Sequence, residues 1–152
     1  MHKIKKICWG ITAFCLLSFL AGTGNAYASE ATVLDPGTAV VDSVAAFDWD
    51  GPVLCKGLGV VYGPSGKETY YNLPMDGVVR IMRGMGFTEE EYPYWEREDG
   101  CKMLGEFIMV AANLDVHPRG SLVPCSLGVA IVCDTGGFAY NNPQQLDIAV
   151  NW

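Results

Sequence analysis

Asp134 is the residue whose type and position most clearly favour chemistry. It follows an apolar strand candidate at residues 129–132 and precedes Thr135, Gly136 and Gly137. Apolar neighbours desolvate the carboxyl group, and no Lys or Arg lies within a dozen residues on either side. The local sequence therefore favours the protonated form that a general acid needs. The glycines allow positive φ and close approach of backbone N–H groups to a ligand; a purely structural Asp-Thr-Gly turn is the alternative.

The elements around this motif are predicted to be short strands with one helix. Strand composition between Gly, Pro and Asn residues occurs in six segments: residues 58–62, 68–73, 107–114, 121–124, 128–133 and 146–152. An apolar stripe predicts a helix over residues 75–85 (Val78, Val79, Ile81, Met82 and Met85). Residues 88–100 are acidic and aromatic, which predicts a long loop that forms a cleft wall. The pattern indicates a mainly β chain folded as a small β-barrel.

The N-terminal segment is typical of export. Lys3, Lys5 and Lys6 precede an uncharged apolar run at residues 7–21, and Ala26-Tyr27-Ala28 forms an Ala-x-Ala cleavage site. The apolar run is short of the ~20 residues that span a bilayer, which disfavours an uncleaved anchor. We predict a signal peptide at residues 1–28, a linker at 29–52 and one domain at 53–152, with no stable membrane insertion after cleavage.

Charge and cysteine content narrow the function classes. After cleavage the chain keeps 7 basic and 17 acidic residues, a net charge of −10, which repels nucleic acid. Four cysteines would remain, enough for two disulfides in any of three connectivities: Cys55, Cys101, Cys125 and Cys133. No Cys-x-x-Cys or His-x-x-x-His pair is present, so neither a metal site nor a cofactor is predicted.

Residues 103–152 closely resemble the three-aspartate (3D) domain family, and residues 53–102 resemble it more loosely. Relatives of that family include the catalytic domain of the membrane-bound lytic transglycosylase A family. The family pattern has an aspartate before a Pro-x-Gly-Ser/Thr segment, then an Asp-x-Gly-Gly block, then an aspartate in a closing strand. The matching segments here are residues 110–121, residues 129–137 with Asp134, and residues 145–149 with Asp147.

The resemblance implies a double-psi β-barrel that binds peptidoglycan glycan strands in an open groove. Related domains cleave the bond between N-acetylmuramic acid and N-acetylglucosamine without water, because the muramyl C6 hydroxyl attacks its own anomeric carbon and gives a 1,6-anhydro product. Asp134 matches the single acid and base of that reaction, whereas ordinary glycosidases use two carboxylates. The implied protein is a bacterial lytic transglycosylase that is secreted or associated with the cell wall.

The supporting residues include one departure from the family. Its first aspartate falls on Asn113, which cannot ionise but can orient a sugar hydroxyl or hold Asp134 by a hydrogen bond. Asp115 is expected on the same strand face and is a candidate substitute. Asp147 matches the third aspartate; the alternative is an outward residue on an edge strand.

The aromatic residues divide into two groups. Trp95 is a candidate platform for a sugar ring, because apolar pyranose faces pack on π surfaces. Tyr70 and Tyr71 are expected in the core.

Two other functions fit parts of the pattern. Asp-Thr-Gly also begins the active site of aspartic proteases, but those enzymes need two such aspartates sharing a proton, and this chain has one Asp-Thr-Gly. A non-catalytic module that binds or loosens the cell wall, as expansins do, is the main alternative to an enzyme, because the first aspartate is absent.

Overall fold

The computed structural model describes residues 32–33 and 48–152. The predicted signal peptide at 1–28 and most of the predicted linker at 29–52 therefore lie outside the described residues. Within the described part, no helix is long and apolar enough to cross a bilayer.

The described chain is mainly β, with one α-helix and one short 3₁₀ helix. The strands are β1 Thr32–Val33, β2 Val61–Gly63, β3 Gly66–Tyr71, β4 Tyr94–Glu96, β5 Lys102–Leu104, β6 Phe107–Ala111, β7 Ser121–Cys125, β8 Gly128–Asp134 and β9 Leu146–Ala149. The helix α1 spans Asp76–Gly84, and the 3₁₀ helix spans Gly137–Tyr140.

One sheet contains all nine strands. Its main path is β1-β7-β8-β6-β9-β3-β2, and the β4–β5 hairpin branches from β6 through β5. Two strand pairs are parallel, β6 with β8 and β3 with β9, and an antiparallel contact between β6 and β9 joins them. The central four strands therefore form two parallel pairs on either side of one antiparallel ladder.

Alternation along the central strands separates two apolar cores, because successive side chains point to opposite faces of a sheet. On one face, Val110, Val132 and Ile148 belong to the larger cluster. On the other face, Met109 and Ile131 pack under α1 in a second cluster. We call these the inner face and the helix face.

The two ends of the sheet path are joined by buried polar contacts. Glu68 in β3 is fully buried and accepts hydrogen bonds from the backbone N of Ser126 at 2.9 and 3.1 Å and from its hydroxyl at 2.5 Å. The Ser126 hydroxyl in turn accepts from the backbone N of Leu54 at 3.0 Å. Ser65 donates to the carbonyl of Pro124 at 2.7 Å. The β2–β3 hairpin is thereby fastened to the β7–β8 hairpin.

Gly63 leaves the space that this contact needs. A side chain at residue 63 would collide with the Glu68 carboxyl group, because Oε1 occupies the place that a Cβ would take. The close approach, rather than an unusual backbone angle, accounts for glycine at this position.

Most predicted elements are confirmed, with shifted ends. The helix spans Asp76–Gly84 instead of the predicted 75–85. Only Met82 of the predicted stripe is fully buried, while Ile81 and Met85 are exposed. The strands predicted at 107–114 and 146–152 stop at Ala111 and Ala149.

The prediction of one long loop over residues 88–100 is wrong in part. Residues 94–96 form β4, which pairs with β5. Arg83 organises the preceding segment: one of its terminal nitrogens donates to the carbonyls of Phe87, Thr88 and Tyr92 at 2.6 to 2.8 Å. A strand of three residues is too short to show a recognisable alternating pattern in the sequence.

The four cysteines of residues 48–152 are unpaired in the structure. Cys101 and Cys125 lie in the inner-face cluster, whereas Cys133 lies in the helix-face cluster. Every two-disulfide connectivity needs a partner for Cys133, and Cys101 and Cys125 are separated from it by the sheet. The predicted disulfides stay a prediction, with Cys133 the residue least suited to one.

Burial makes Glu68 a source of pH-dependent stability. Desolvation raises the pKa of Glu68 from 4.5, and the bonds from Ser126 oppose this only in part. A raised folded-state pKa contributes stability that is fully present below the unfolded value and is lost as pH rises through the folded value. Relative to wild type, Glu68→Gln should therefore gain free energy of unfolding as pH rises above about 4.5, measured by urea denaturation.

The exposed residue Glu106 provides the control, as Glu106→Gln should leave the pH dependence unchanged. Asp147, whose pKa is also raised, and His117, whose pKa burial lowers, act in both proteins and cancel in the difference. A wild-type-like slope in Glu68→Gln would contradict this account.

Candidate functional site

A bulge in β8 determines where Asp134 points. Val110 pairs with Val132, but the next residue of β6, Ala111, pairs with Asp134, so Cys133 is the extra residue. Strict alternation would turn Asp134 to the inner face, because a shift of one residue reverses the side-chain direction. Because of the bulge, Asp134 instead lies opposite Ala111 of β6.

Three strand registers align a polar row across the sheet. Ala111 lies opposite Asp134 on one side and Asp147 on the other, and Asp147 lies opposite Thr69. Neighbouring strands are about 4.8 Å apart, so the two aspartates have Cα atoms about 10 Å apart across one small residue. Carboxyl groups from two segments distant in sequence thus flank Ala111.

Asp147 is held in a network of neutral groups. The Thr69 hydroxyl donates to Asp147 Oδ1 at 2.7 Å and accepts from Gln145 Nε2 at 2.8 Å. Desolvation raises the pKa of Asp147, and the bond from Thr69 lowers it by less. Asp147 is therefore a partly buried carboxyl group that retains its proton to higher pH than an exposed aspartate, and not the outward edge-strand residue of the alternative interpretation.

Tyr71 is a site residue that the sequence analysis assigned to the core. Its ring does pack against the helix-face cluster, as expected. Burial, followed by the charges of Asp134, Cys133 and Asp147 and a hydrogen bond to Asp134, raises the pKa of Tyr71 far above its usual value. Its position two residues after Thr69 places both on one strand face, and this period-two signal is present in the sequence.

A groove of about 300 Å³ begins at Thr135, the residue that follows Asp134, and Asp134 itself is not among its lining residues. Its lining combines five of the residues predicted from the sequence with three others: Asn113, Asp115, Thr135, Gly136 and Gly137, together with Leu114, Ala139 and Tyr140. Asp134 itself is half-buried at the strand end that leads into this lining. The side of the groove formed by residues 113–115 comes from the β6–β7 connection, and the other side comes from the segment after β8.

Asn113 joins the two sides of the groove. Its Nδ2 donates to the carbonyl of Ala139 at 3.2 Å, and its Oδ1 accepts from the backbone N of Asp115 at 2.9 Å. An aspartate could not make both contacts, because a carboxylate has no donor. The structure thus gives asparagine a specific role at the position where the family pattern has aspartate.

Asp115 does not lie on a strand with Asn113. Strand β6 ends at Ala111, and the carbonyl of Asn113 accepts from the backbone N of Val116 and of His117 in a turn. The expectation of a shared strand face is wrong, since the turn ends the period-two alternation. Asp115 still reaches the groove, where it is exposed.

The surroundings of the glycines after Asp134 are more informative than their backbone angles. Gly136 is extended, with φ −151°, and Gly137 is not among the residues with positive φ, so that expectation is wrong. A Cβ on Gly136 would lie 3.0 Å from the Phe138 ring, whereas a Cβ on Gly137 would meet nothing within 4 Å. A side chain at residue 136 would need the Phe138 ring to shift slightly, whereas Gly137 faces open space.

Arg119 lies closer to the site than the sequence suggests. Its Nε donates to the carbonyl of Cys133 at 2.7 Å. The position is fifteen residues before Asp134, just outside the stretch without basic residues. The fold therefore places one cation beside the bulge.

Trp95 is not brought to this groove. It pairs with Met103 in β5, which pairs with Ile108 near the start of β6, while the groove adjoins the opposite end of that strand. Its indole nitrogen donates to the carbonyl of Gly105 at 2.8 Å. Trp95 fastens the β4–β5 hairpin.

The described residues contain no cluster of three His, Cys, Asp or Glu side chains that could hold a metal ion. Comparisons of the chain with protein-family models, curated proteins and solved structures find no match. Functional inference therefore depends on the geometry of Asp134, Asp147, Tyr71 and the groove.

The bridging role of Asn113 predicts the effect of an aspartate at this position. Asn113→Asp removes the donor to the Ala139 carbonyl and places a carboxylate against it, so we expect a loss of about 1–2 kcal/mol in free energy of unfolding at pH 7. Urea denaturation measures this loss. The deficit should shrink near pH 3, where a protonated aspartate can donate.

Asp115→Asn is the matched control, because it changes the same chemical group in the same groove without altering a side-chain bond of the structure. A fully stable Asn113→Asp protein at pH 7 would show that the bridge does not hold the groove together.

Proposed function

We propose that this chain is an exported bacterial enzyme that cleaves peptidoglycan glycan strands as a lytic transglycosylase. Asp134 is the acid and base, and the groove beside it holds the glycan. The observation that carries the proposal is the alignment of Asp134 and Asp147 across Ala111 at the edge of a groove lined by Asn113 and residues 135–137.

The groove supports a polymer substrate. It is open, it lies at the strand ends, and its lining combines amide, hydroxyl, carboxylate and backbone groups with the Tyr140 ring, which is almost fully exposed. Such a lining suits a neutral sugar, whose hydroxyls need hydrogen-bond partners and whose ring faces pack on aromatic surfaces. The open space over Gly137 lets a bulky chain approach the backbone next to the acid.

The reaction needs one group that changes role. Asp134 would give its proton to the bridging oxygen as the glycosidic bond breaks, and the resulting carboxylate would take the proton of the attacking C6 hydroxyl. Asp134 is half-buried, so its side chain is partly accessible to a substrate.

We also propose that the fold is a double-psi β-barrel. Two observations support this fold. The parallel pairs β6–β8 and β3–β9 lie on either side of the antiparallel β6–β9 ladder, and the buried hydrogen bond between Ser126 and Glu68 joins the ends of the sheet.

A second candidate is a water-dependent glycoside hydrolase that uses both aspartates. The raised pKa of Asp147 favours it, because a partly buried carboxyl group that keeps its proton is suited to be a general acid. Inverting glycosidases place their two carboxyl groups roughly 6.5–9.5 Å apart to admit a water molecule, and two strands about 10 Å apart can present side chains at that separation. The two reactions differ in their product.

Digestion of purified peptidoglycan, followed by mass spectrometry of the released muropeptides, tests the proposal. We expect wild type to release 1,6-anhydro products and Asp134→Asn to lose at least about 10²-fold in rate, since general acid–base catalysis contributes that much or more. Asp50→Asn, the same chemical change at an exposed position, should retain wild-type activity.

The other outcomes identify the other functions. Products with a free reducing end, lost equally in Asp134→Asn and Asp147→Asn, would show the two-carboxylate hydrolase. Binding to peptidoglycan without release by either wild type or Asp134→Asn would show a wall-binding or wall-loosening module and would refute the enzyme proposal.

A further inference from the structure

A chain of two hydrogen bonds ends on Asp147, and both bonds run in the same direction. The Gln145 side-chain nitrogen Nε2 donates to the Thr69 hydroxyl at 2.8 Å, and that hydroxyl donates to Asp147 Oδ1 at 2.7 Å. An amide nitrogen can only donate, and a hydroxyl carries a single proton. Because Thr69 accepts from Gln145, its own proton is left for Asp147.

The two carboxyl oxygens of Asp147 therefore differ. Oδ1 receives the Thr69 proton, so a second proton bound at Oδ1 would face the first. Oδ2 has no hydrogen-bond partner among the described residues. The fully enclosed side-chain atoms without a partner in that part of the chain belong to His117, Ser121 and Gln145, so Oδ2 keeps contact with solvent. Of the two oxygens, Oδ2 is the one open to a ligand.

We propose that Gln145 is a positioning residue that acts through Thr69 to keep the proton of Asp147 on Oδ2, from which Asp147 donates a hydrogen bond to an oxygen atom of the bound glycan. This inference rests on the proposed glycan-cleaving function. It gives Asp147 a role distinct from that of Asp134, because Asp147 holds the substrate and transfers no proton to it.

The unbonded oxygen of Gln145 defines the opposite arrangement. Gln145 is buried, and its Oε1 is enclosed without a donor. If the amide turned over, Oε1 would accept from Thr69, and Thr69 would be left to accept a proton from Asp147 Oδ1. That proton would be withdrawn from a ligand, and an ionised Asp147 would lose its one bond from the described residues. The orientation in the structure serves both protonation states of Asp147.

Other titratable groups lie on the elements packed around Asp147, in β3, β8, α1 and the β6–β7 connection. They are Tyr71, Cys133, Asp134, Asp76 and Arg119. Their charges affect the titration of Asp147 in every variant alike, because none of the substitutions below changes them.

Carboxyl ¹³C NMR titration of Asp147 tests the inference without relying on activity. Thr69→Val removes the donor to the carboxylate, so Asp147 should titrate about one pH unit higher, and Thr69→Ser, which keeps the hydroxyl, should restore the wild-type titration. Gln145→Met weakens the chain and lets Thr69 accept from Asp147, so Asp147 should titrate a few tenths of a pH unit higher.

Gln144→Met is the matched control, because it makes the same change at the exposed neighbouring position and should leave Asp147 unchanged. A titration of Asp147 in Gln145→Met that lies no higher than in Gln144→Met would overturn the inference.

The amide of Gln145 gives an independent readout in the wild-type protein. Nuclear Overhauser contacts between its side-chain amide protons and Thr69 should be present both below and above the pH at which Asp147 titrates. Their loss at low pH would show that the amide turns over when Asp147 is protonated, and would contradict the proposed position of the proton even if the variants do not fold.

Kinetics with soluble glycan strands separate the inference from the proposed function. If wild type releases muropeptides, Gln145→Met should raise KM several-fold with kcat little changed, because the hydrogen bond to the glycan is weakened. A change confined to kcat would contradict a role in holding the substrate. If wild type releases no product, the enzyme proposal fails, while the NMR measurements still decide which oxygen of Asp147 carries the proton.

Discussion

The candidate site depends on the bulge at Cys133, where β6 and β8 lose register for one residue. On either side of it the two strands pair in parallel, and their apolar side chains divide between the inner face and the helix face. If Cys133 and Asp134 both stayed in regular register with β6, the carboxyl group of Asp134 would point into the inner apolar core, where a charge is costly. With the bulge, Asp134 aligns with Asp147 across Ala111, and the following residues turn away to line a groove.

The rest of the structure keeps that alignment rigid. Glu68 and Ser126 fasten together the two hairpins at the ends of the sheet, and α1 covers the helix face with Met82 at its centre. Asn113 connects the two sides of the groove through the Ala139 carbonyl. Each contact joins segments that are far apart along the chain or on opposite sides of the site, which is the support that a precisely placed acid requires.

The sequence predicted the parts of the fold that have a local signal. Strands and a helix with regular apolar spacing were found. Five of the predicted site residues line one groove, whereas the roles of Asp134 and Asp147 stay a prediction. Tyr71 was predicted only as a core residue, because its second role depends on the pairing of β3 with β9. Contacts between segments that are not adjacent in sequence also determine where Arg119 and Trp95 lie and why β4 forms. No local sequence pattern encodes such contacts.

The most direct test of the central claim is to identify the residues that a bound glycan contacts. Amide NMR of ¹⁵N-labelled protein, titrated with a peptidoglycan tetrasaccharide, would report binding residue by residue. The account predicts that the largest chemical-shift changes fall on Asn113, residues 135–137 and Tyr140. Changes centred instead on the separate apolar cavity formed by Leu54, Cys55 and Trp152, or no changes at saturating glycan, would contradict it.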